Sequence, residues 1–270
     1  MRVAIVSLLN QFPGLKRLLR RVRVRLSPGV GVSSHYVTLH GSEADTEGWR
    51  LRNSWRDEAL PKRQRELVDQ QLRQYRSGAR VDVFDVFADS LRALTDLASG
   101  ATLLEVGCSS GFYSEVVEIA GLHLRYSGCD YSEAFIRLAQ DRYPSLDFSV
   151  GDATALHYPD GSFDVVVSGC CLLHIAEYVK GIKETARVAR RYAIFHRTPV
   201  VWGQPERWYR KQAYGVETVE IHFNEPEFLS LLDETGLELI ATYTLSEENA
   251  GASASQGSAT RTYVCRKKTQ

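Results

Sequence analysis

The fold is decided by the stretch Leu103-Leu104-Glu105-Val106-Gly107-Cys108-Ser109-Ser110-Gly111. Its apolar half is typical of a short buried strand, and its glycines allow the positive φ and close backbone approach of a sharp turn. The residues that follow, 112–120, predict a helix. Together these segments predict a strand, a glycine turn and a helix, with room for a ligand against the turn. Taken alone, such a turn is compatible with NAD, with another nucleotide or with no ligand.

The segments around this turn alternate between strands and helices. Further strands are predicted at 125–129, 146–150, 163–168, 192–196 and 237–245, with a last antiparallel strand at 260–266. Helices are predicted at 61–77, 81–98, 132–141, 177–189 and 225–234. This alternation predicts right-handed βαβ units and a mostly parallel sheet. Two segments interrupt it: an insertion at 197–224, and residues 246–259, whose Ser, Ala and Gly content predicts a mobile loop.

Polar residues stand where three of the predicted strands end. Asp130 closes the second strand, Asp152 follows the third, and Ser168-Gly169 closes the fourth. The carboxyl ends of parallel strands meet at the edge of the sheet where such folds bind ligands. A carboxylate at 130 can accept from both hydroxyls of a ribose, and one at 152 from the amine of an adenine. Each aspartate alone also fits a turn or a helix cap, so it is the series that predicts a binding site.

Over about residues 80–245, these motifs resemble those of the class I S-adenosylmethionine-dependent methyltransferases. The resemblance is closest to the broad group that includes the ubiquinone/menaquinone-biosynthesis and sugar-modifying enzymes. LLEVGCSSG resembles the family's glycine motif, GCDYS its ribose-binding acid, and GDATALHYPDGSFDVVVS its adenine-binding and fourth-strand motifs. The resemblance implies an α/β fold with a seven-stranded, mostly parallel sheet in the order 3-2-1-4-5-7-6. The last strand is antiparallel, helices cover both faces, and extra helices precede the core.

The resemblance also implies a cofactor and roles for individual residues. The cofactor is S-adenosylmethionine, its product is S-adenosylhomocysteine, and no metal is expected. By position, Glu105, Gly107 and Gly111 surround the methionyl part, Asp130 holds the ribose, and Tyr131 packs on the adenine. The complete expected cofactor-binding set is Glu105, Gly107, Cys108, Ser109, Gly111, Asp130, Tyr131, Asp152, Ala153, Ser168 and Gly169. The family usually has glycine where this chain has Ser109.

Three parts of the chain are expected. Residues 1–60 form a basic N-terminal extension, 61–98 form helices that cover the cofactor site, and 99–270 form the methyltransferase core with the insertion 197–224. Residues 1–42 contain seven Lys and Arg residues and no acid, and apolar residues recur among them at helical spacing. A helix at 1–28 then suits peripheral contact with the anionic inner face of a membrane. Alternatively, it docks on its own domain or on the partner in a homodimer.

Histidines and aromatic residues give candidates for catalysis and acceptor binding. An alcohol must lose its proton during attack, so a histidine near the acceptor favours O-methylation. His174 follows the fourth strand and His196 ends the fifth, and these two are the expected catalytic residues. Histidines beside apolar residues are also often structural. The insertion supplies the expected acceptor-binding residues His222, Trp202, Trp208, Tyr209 and Arg210. Aromatic and basic side chains suit a sugar, an aromatic ring or a phosphorylated acceptor. Alternatively, the aromatic residues only pack the insertion onto the sheet.

The sequence therefore predicts an enzyme that methylates a small molecule or saccharide, at a hydroxyl. A non-catalytic cofactor-binding protein is one alternative; an NAD-dependent dehydrogenase is another, but it leaves Asp152 unexplained and lacks the G-x-G-x-x-G turn. Equal numbers of basic and acidic residues, 33 each, do not favour nucleic acid as a partner. No apolar run reaches the length of a membrane-spanning helix. Five cysteines without zinc-ligand spacing fit reduced thiols and a cytoplasmic location.

Overall fold

The computed structural model describes residues 33–249 and 255–268. The first elements are β1 (Ser33–Leu39), α1 (Ser42–Arg50), a 3-10 helix (Ser54–Arg56), α2 (Leu60–Arg76), α3 (Asp82–Arg92), β2 (Ala101–Val106), α4 (Tyr113–Ile119), β3 (Leu124–Asp130), α5 (Glu133–Arg142), β4 (Asp147–Val150) and β5 (Phe163–Gly169). Then follow a second 3-10 helix (Leu172–His174), α6 (Tyr178–Val188), β6 (Ala189–Trp202), β7 (Arg207–Ala213), β8 (Val216–Asn224), α7 (Glu225–Glu234), β9 (Leu237–Asn249) and β10 (Gly257–Lys267). The basic segment 1–28 lies outside the described residues. No helix within the described ranges is long and apolar enough to cross a bilayer.

The strands of the described residues form one ten-stranded sheet. Its centre is parallel, with β4, β3, β2, β5 and β6 side by side in this order. β10 runs antiparallel to β6, and β9 antiparallel to β10. These seven strands have the neighbour relation 3-2-1-4-5-7-6. In addition β8 pairs in parallel with β6, β7 pairs with β8, and β1 pairs with β7, the last two antiparallel.

The expectation of a seven-stranded sheet was wrong, because the sheet has three more strands. These strands also make the order of the whole sheet differ from the expected one. The strands β1, β7 and β8 are additional. The insertion 197–224 consists of the end of β6 and the β7–β8 hairpin. Large and charged side chains occur on both faces of β7, which hides the period-two pattern of a half-buried strand. The loop predicted at 246–259 is shorter than expected, because β9 continues to Asn249 and β10 begins at Gly257.

Helices cover both faces of the central strands. Along β2, Leu103 and Leu104 point to opposite faces, since side chains alternate along a strand, and both are fully buried. Leu103 belongs to a cluster with Phe84 of α3 and Val116 of α4, and Leu104 to a cluster with Ile182 of α6. Burying a side chain such as Phe84 contributes about 1.5–3 kcal/mol. These layers fix the ends of the parallel strands at one edge of the sheet.

Strand β6 bends where it leaves the central sheet. Arg197, in the middle of the strand, lies at φ +57°, in the left-handed region. Opposite it, the register of β10 shifts between Arg261 and Tyr263. Before the bend β6 pairs with β5, and beyond it Val200 and Val201 pair with β8. Because such irregularities re-aim a strand, the bend brings the β7–β8 hairpin beside the carboxyl edge of the parallel strands.

Candidate active site

A cavity of about 580 Å³ lies at the carboxyl edge of the parallel strands. Its walls come from the ends of β2, β3 and β5, from the residues after β4, and from side chains of β6, β7 and β8. Eight of the eleven residues expected to bind the cofactor line it: Glu105, Gly107, Ser109, Asp130, Tyr131, Asp152, Ala153 and Gly169. The structure therefore brings residues from four separate strand ends into one cavity.

The turn after β2 contains two residues at positive φ that shape the cavity. Gly107 lies at φ +74°, and a Cβ added there would stand 2.4 Å from the Cβ of Cys171, so a side chain does not fit. Ser109 lies at φ +53°, which costs a non-glycine residue about 1–2 kcal/mol. Its N–H donates to Asp130 at 2.9 Å, and its hydroxyl donates to Gln64 of α2. These two bonds hold serine in a conformation that glycine adopts without strain.

Asp130, at the end of β3, can accept further hydrogen bonds. Its Oδ1 accepts from the N–H of Ser132 and its Oδ2 from the N–H of Ser109, both at 2.9 Å. Each carboxylate oxygen has about two acceptor directions, so one on each oxygen remains for the hydroxyls of a ribose. Burial raises the pKa of Asp130 to about 6, although backbone N–H groups oppose the rise. Hydroxyl donors from a ligand would stabilise the ionised carboxylate.

Glu105, on β2, is almost fully buried at the base of the cavity. The hydroxyl of Tyr126 donates to its Oε2. Its Oε1 lies against Gly169, where an added Cβ would come within 2.4 Å of that oxygen. Burial raises the pKa of Glu105 well above its ordinary value, and the bond from Tyr126 opposes this rise. A cationic ligand group, such as the ammonium of a methionyl chain, would stabilise the ionised form.

Asp152 and Tyr131 line the part of the cavity that the resemblance assigns to adenine. The Oδ1 of Asp152 accepts from the N–H and the hydroxyl of Thr154, at 2.8 and 2.7 Å, and the side chain is exposed. The hydroxyl of Tyr131 accepts from the N–H of Trp55 at 3.0 Å, and the guanidinium of Arg56 lies 5.0 Å from the ring centre. With the carboxylates of β2 and β3, this set of acceptors and its aromatic wall fit an adenosyl ligand with a cationic methionyl end.

Three of the expected cofactor residues, Cys108, Gly111 and Ser168, do not line the cavity. Gly111, at φ +71°, packs against Phe148, whose ring would lie 2.5 Å from an added Cβ. The hydroxyl of Ser168 lies 3.2 Å from the Sγ of Cys171. Cys108 is fully buried, and burial raises the pKa of its thiol well above the ordinary value. These three residues pack behind the cavity wall and do not face the cavity. Within the described residues, no group of three or more His, Cys, Asp and Glu side chains is arranged to hold a metal.

The two histidines expected to be catalytic have different surroundings. His174 lines the cavity, and its Nδ1 lies 2.6 Å from the carbonyl oxygen of Val219, to which it donates. His196 does not line the cavity and is fully buried. Its Nε2 lies 2.9 Å from the hydroxyl of Tyr113 and its Nδ1 2.9 Å from that of Thr262. Because both ring nitrogens of His196 are bonded to protein groups, the expectation that it acts as a base on the acceptor was wrong.

The residues expected to bind the acceptor lie outside the cavity. They are His222, Trp202, Trp208, Tyr209 and Arg210. The indole N–H of Trp208 donates to Glu206 at 2.6 Å, and Arg210 forms an ion pair with Glu47 at 3.3 Å. The first of these contacts lies within the insertion, and the second joins it to α1.

The hairpin contributes other residues to the cavity. Lys211, Ala213 and Tyr214 line it, together with Glu220 of β8. Successive side chains of a strand point to opposite faces, so Lys211 faces the cavity while its neighbour Arg210 does not. The insertion therefore lines the cavity, but with other residues than the expected ones.

Sequence reasoning missed two further parts of the cavity wall. Residues 33–56 contribute eight lining residues, Trp55 among them, whereas 61–98 contributes Gln64 alone. The cover that was expected from 61–98 comes from 33–56 instead, and α3 packs into the core. Arg197 also lines the cavity. It directly follows the predicted fifth strand, so the rule that ligands bind at the carboxyl ends of parallel strands could have found it.

Comparison with known proteins identifies the central part of the chain. Residues 104–196 match a family described as a methyltransferase domain. A probable S-adenosylmethionine-dependent methyltransferase of Mycolicibacterium smegmatis is 33% identical over 102 residues, which are 38% of this chain and 39% of that protein. A demethylmenaquinone methyltransferase of Bacillus licheniformis is 30% identical over 106 residues, 38% of this chain and 46% of that protein. The chain thus spans less than half the length of these relatives.

A solved structure shares the fold. The S-adenosylmethionine-dependent methyltransferase of Methanosarcina mazei superposes with a TM-score of 0.52 at 20% sequence identity, over 66% of this chain and 98% of that one. This likeness confirms the α/β fold that the sequence predicted, and the family match confirms the resemblance of its motifs. Residues 104–196 therefore match a methyltransferase domain, and the fold is that of an S-adenosylmethionine-dependent methyltransferase.

Proposed function

We propose that this protein is an enzyme that transfers a methyl group from S-adenosylmethionine to a hydroxyl of a small-molecule or saccharide acceptor. The observation that carries the proposal is the single cavity that Glu105, Asp130 and Asp152 share with His174. The three carboxylates suit the methionyl ammonium, the ribose hydroxyls and the adenine amine, and His174 suits a hydroxyl on the acceptor. The cavity volume of about 580 Å³ lies within the range of ligand sites, roughly 300–1,000 Å³.

The residues of this chain would bind and orient the two reactants. Bound S-adenosylmethionine supplies a methyl group that its positively charged sulfur already activates. Because little chemistry is left for the protein, positioning provides most of the acceleration. Gly107 lets the ligand approach the backbone closely, and Asp130 fixes the ribose through the free acceptor directions of its two oxygens. The buried carboxylate of Glu105 would hold the methionyl end at the base of the cavity.

His174 would orient the acceptor hydroxyl and take up its proton. Its Nδ1 carries the ring hydrogen that is donated to Val219, which leaves Nε2 as an acceptor. The ring of Trp55, at a centroid distance of 4.7 Å, holds the imidazole in place. Burial and then the charge of Lys211 lower the pKa of His174 to about 3, so the ring is neutral at physiological pH. A weak base suffices here, because the attacking hydroxyl becomes strongly acidic as its C–O bond forms.

Transfer of a labelled methyl group tests the proposal. The full chain is incubated with tritiated S-adenosylmethionine and separate pools of extract metabolites, sugars and lipid-linked glycans, and label is counted in each pool. We expect one pool to acquire base-stable label, as a methyl ether is. His174→Ala should bind S-adenosylhomocysteine as tightly as the unmodified protein and lose most of its turnover. His123→Ala, which changes an exposed histidine before β3, is the matched control and should keep both properties.

Each other outcome favours a different function. Tight S-adenosylhomocysteine binding without label in any pool would favour a non-catalytic cofactor-binding protein. Binding of NAD in place of S-adenosylhomocysteine would favour a dehydrogenase. Label on nitrogen or carbon would correct the acceptor atom, and full turnover by His174→Ala would remove this histidine from the mechanism.

We also infer a cytoplasmic protein that touches the inner face of the membrane through residues 1–28. Seven basic residues and no acidic one within 1–42 support this location, because an anionic surface attracts such a segment. Flotation with anionic liposomes, for the full chain and for a variant that lacks 1–28, tests it. Equal flotation of both proteins would overturn it and favour the docked alternative, for which a homodimer would be seen by light scattering.

A further inference from the structure

Arg197 gives the cavity a positive charge that has no carboxylate partner. It lies at the bend of β6 and lines the cavity beside Tyr214. The groups that bear most on its charge are the thiol of Cys170 and the hydroxyls of Tyr113 and Tyr214. Among the described residues, no carboxylate lies within ion-pair distance of its guanidinium. A ligand in the cavity can therefore supply the missing anion.

The other arginines in residues 33–249 and 255–268 that are buried or half-buried all have carboxylate partners. They are Arg65 with Asp69 and Glu115, Arg187 with Glu184, Arg191 with Asp96, Arg210 with Glu47, and Arg261 with Glu225. Such pairing is the rule, because a charge removed from water loses its hydration. Arg197 is the exception among them, and it is the one that lines the cavity.

The backbone holds Arg197 in an unfavourable conformation that directs its side chain into the cavity. A φ of +57° is rare for a residue with a side chain, above all within a strand. The conformation is held from the neighbouring strand, since the N–H of Arg197 donates to the hydroxyl of Thr262 at 3.4 Å. Residues in such conformations occur at ligand sites, where the surrounding structure enforces them.

The neighbouring cation of the cavity is already neutralised. Lys211 donates to the carboxylate of Glu220 and, at 3.0 Å, to the hydroxyl of Ser33. Its charge is therefore satisfied by protein groups, whereas that of Arg197 is not. The ring of Trp55 contacts two other rings of the cavity wall: its centroid lies 4.7 Å from that of His174 and 6.2 Å from that of Tyr214. An acceptor would meet an aromatic wall, a neutral base and, beside them, the guanidinium of Arg197, which has no carboxylate partner.

We propose that Arg197 binds an anionic group of the acceptor, a carboxylate or a phosphate, and so positions the acceptor's hydroxyl at His174. The planar guanidinium matches the oxygens of either group two at a time. Trp55 and Tyr214 would contact the apolar body of the same molecule. This inference rests on the proposed function and narrows its substrate to small acidic acceptors.

Binding of small acids to the full chain, saturated with S-adenosylhomocysteine, tests the inference. The probes are benzoate, phenyl phosphate and the neutral benzamide, followed by ligand-observed NMR at millimolar concentration. We expect at least one acid to bind in the cavity and benzamide not to bind, and the acid that binds identifies the anionic group. In Arg197→Met the affinity for that acid should fall about tenfold or more. Arg190→Met, which changes an exposed arginine of the same strand, is the matched control and should change nothing.

Measuring S-adenosylhomocysteine affinity in each variant separates the two claims. Binding of neither acid, equal binding of benzamide, or unchanged acid affinity in Arg197→Met would overturn the inference and leave the proposed function standing. Loss of S-adenosylhomocysteine affinity in Arg197→Met would assign the guanidinium to the cofactor and also overturn the inference. Failure of the unmodified protein to bind S-adenosylhomocysteine would refute the proposed function itself. Should the methionine variant not fold, Arg197→Lys replaces it, because lysine keeps the charge and loses the paired contact.

Discussion

Replacing Asp130 with asparagine tests whether this residue binds the ribose, and the hydrogen bonds of Asp130 predict how much affinity should be lost. Each carboxylate oxygen accepts one backbone N–H, from Ser109 or from Ser132 at 2.9 Å, and keeps one direction for a ligand hydroxyl. Asparagine offers a single oxygen, and its amide nitrogen would face one of these N–H donors. A hydrogen bond to a charged acceptor contributes about 1.5–3 kcal/mol. Loss of at least one such bond should raise the dissociation constant of S-adenosylhomocysteine about tenfold to a hundredfold.

The raised pKa of Asp130 gives the same variant a second, pH-dependent readout. Burial raises this pKa from its ordinary 3.8 to about 6. Between about pH 4 and about pH 6, Asp130 keeps a proton in the native protein that it has lost in the unfolded chain. Its contribution to the stability of the ligand-free protein therefore falls as the pH rises, by about 3 kcal/mol in all. S-Adenosylhomocysteine binding should show the opposite trend, because the ribose hydroxyls need the ionised carboxylate. Asp130→Asn should lose the part of both trends that comes from residue 130, whereas the part that comes from the buried Glu105 should remain.

Titration calorimetry and denaturant unfolding from about pH 4 to about pH 8 measure these effects. Glu133→Gln is the matched control, since this carboxylate opens α5 three residues further on and is exposed. It should leave affinity, stability and their pH dependence unchanged. Equal S-adenosylhomocysteine affinity in Asp130→Asn and the unmodified protein, with the same pH dependence, would refute the assignment.

Three further changes have expected outcomes. Gly107→Ala places a Cβ 2.4 Å from that of Cys171 at φ +74°; the free energy of unfolding, measured in urea, should fall by about 2–4 kcal/mol, and an unchanged value would contradict the fit of the turn. Arg65→Met removes a buried partner of Glu115 and should lower the free energy of unfolding by about 2–3 kcal/mol in the same assay. This loss is smaller than is usual for a broken buried ion pair, because Arg76 still pairs with Glu115. Since burial lowers the pKa of His174 to about 3, this ring should cause no inflection near pH 6.5 in the pH profile of kcat/KM. An inflection near pH 6.5 that is present in the unmodified protein and absent from His174→Ala would contradict the lowered pKa.

The centre of the fold and the part of the cavity at the strand ends could be predicted because they depend on local patterns. Glu105, Asp130 and Asp152 each lie at or near the end of a short strand, and the parallel arrangement of these strands brings their ends to one edge. The exact pairing of the strands does not matter for this result. Cys108 and Ser168 belong to the same motifs but face the core, which the alternation within a turn does not reveal.

The rest of the cavity wall could not be predicted in the same way, because it depends on contacts between residues that are distant in the sequence. Strand β1 pairs with β7, and this pairing joins residues 33–39 to residues 208–213. A slip of one residue in β7 would exchange the positions of Arg210 and Lys211, and no local pattern fixes that register. The direction of Arg197 likewise depends on a bend in β6. The sequence therefore identified a segment that lines the cavity, but not the side chains of that segment that face it.

A crystal structure of the full chain grown with S-adenosylhomocysteine tests the central claim most directly. We predict the ribose hydroxyls at hydrogen-bond distance from Asp130, the adenine beside Asp152 and Tyr131, and the sulfur facing the side of the cavity that holds His174. Clear density for the ligand outside this cavity, or a ribose that does not contact Asp130, would contradict the account.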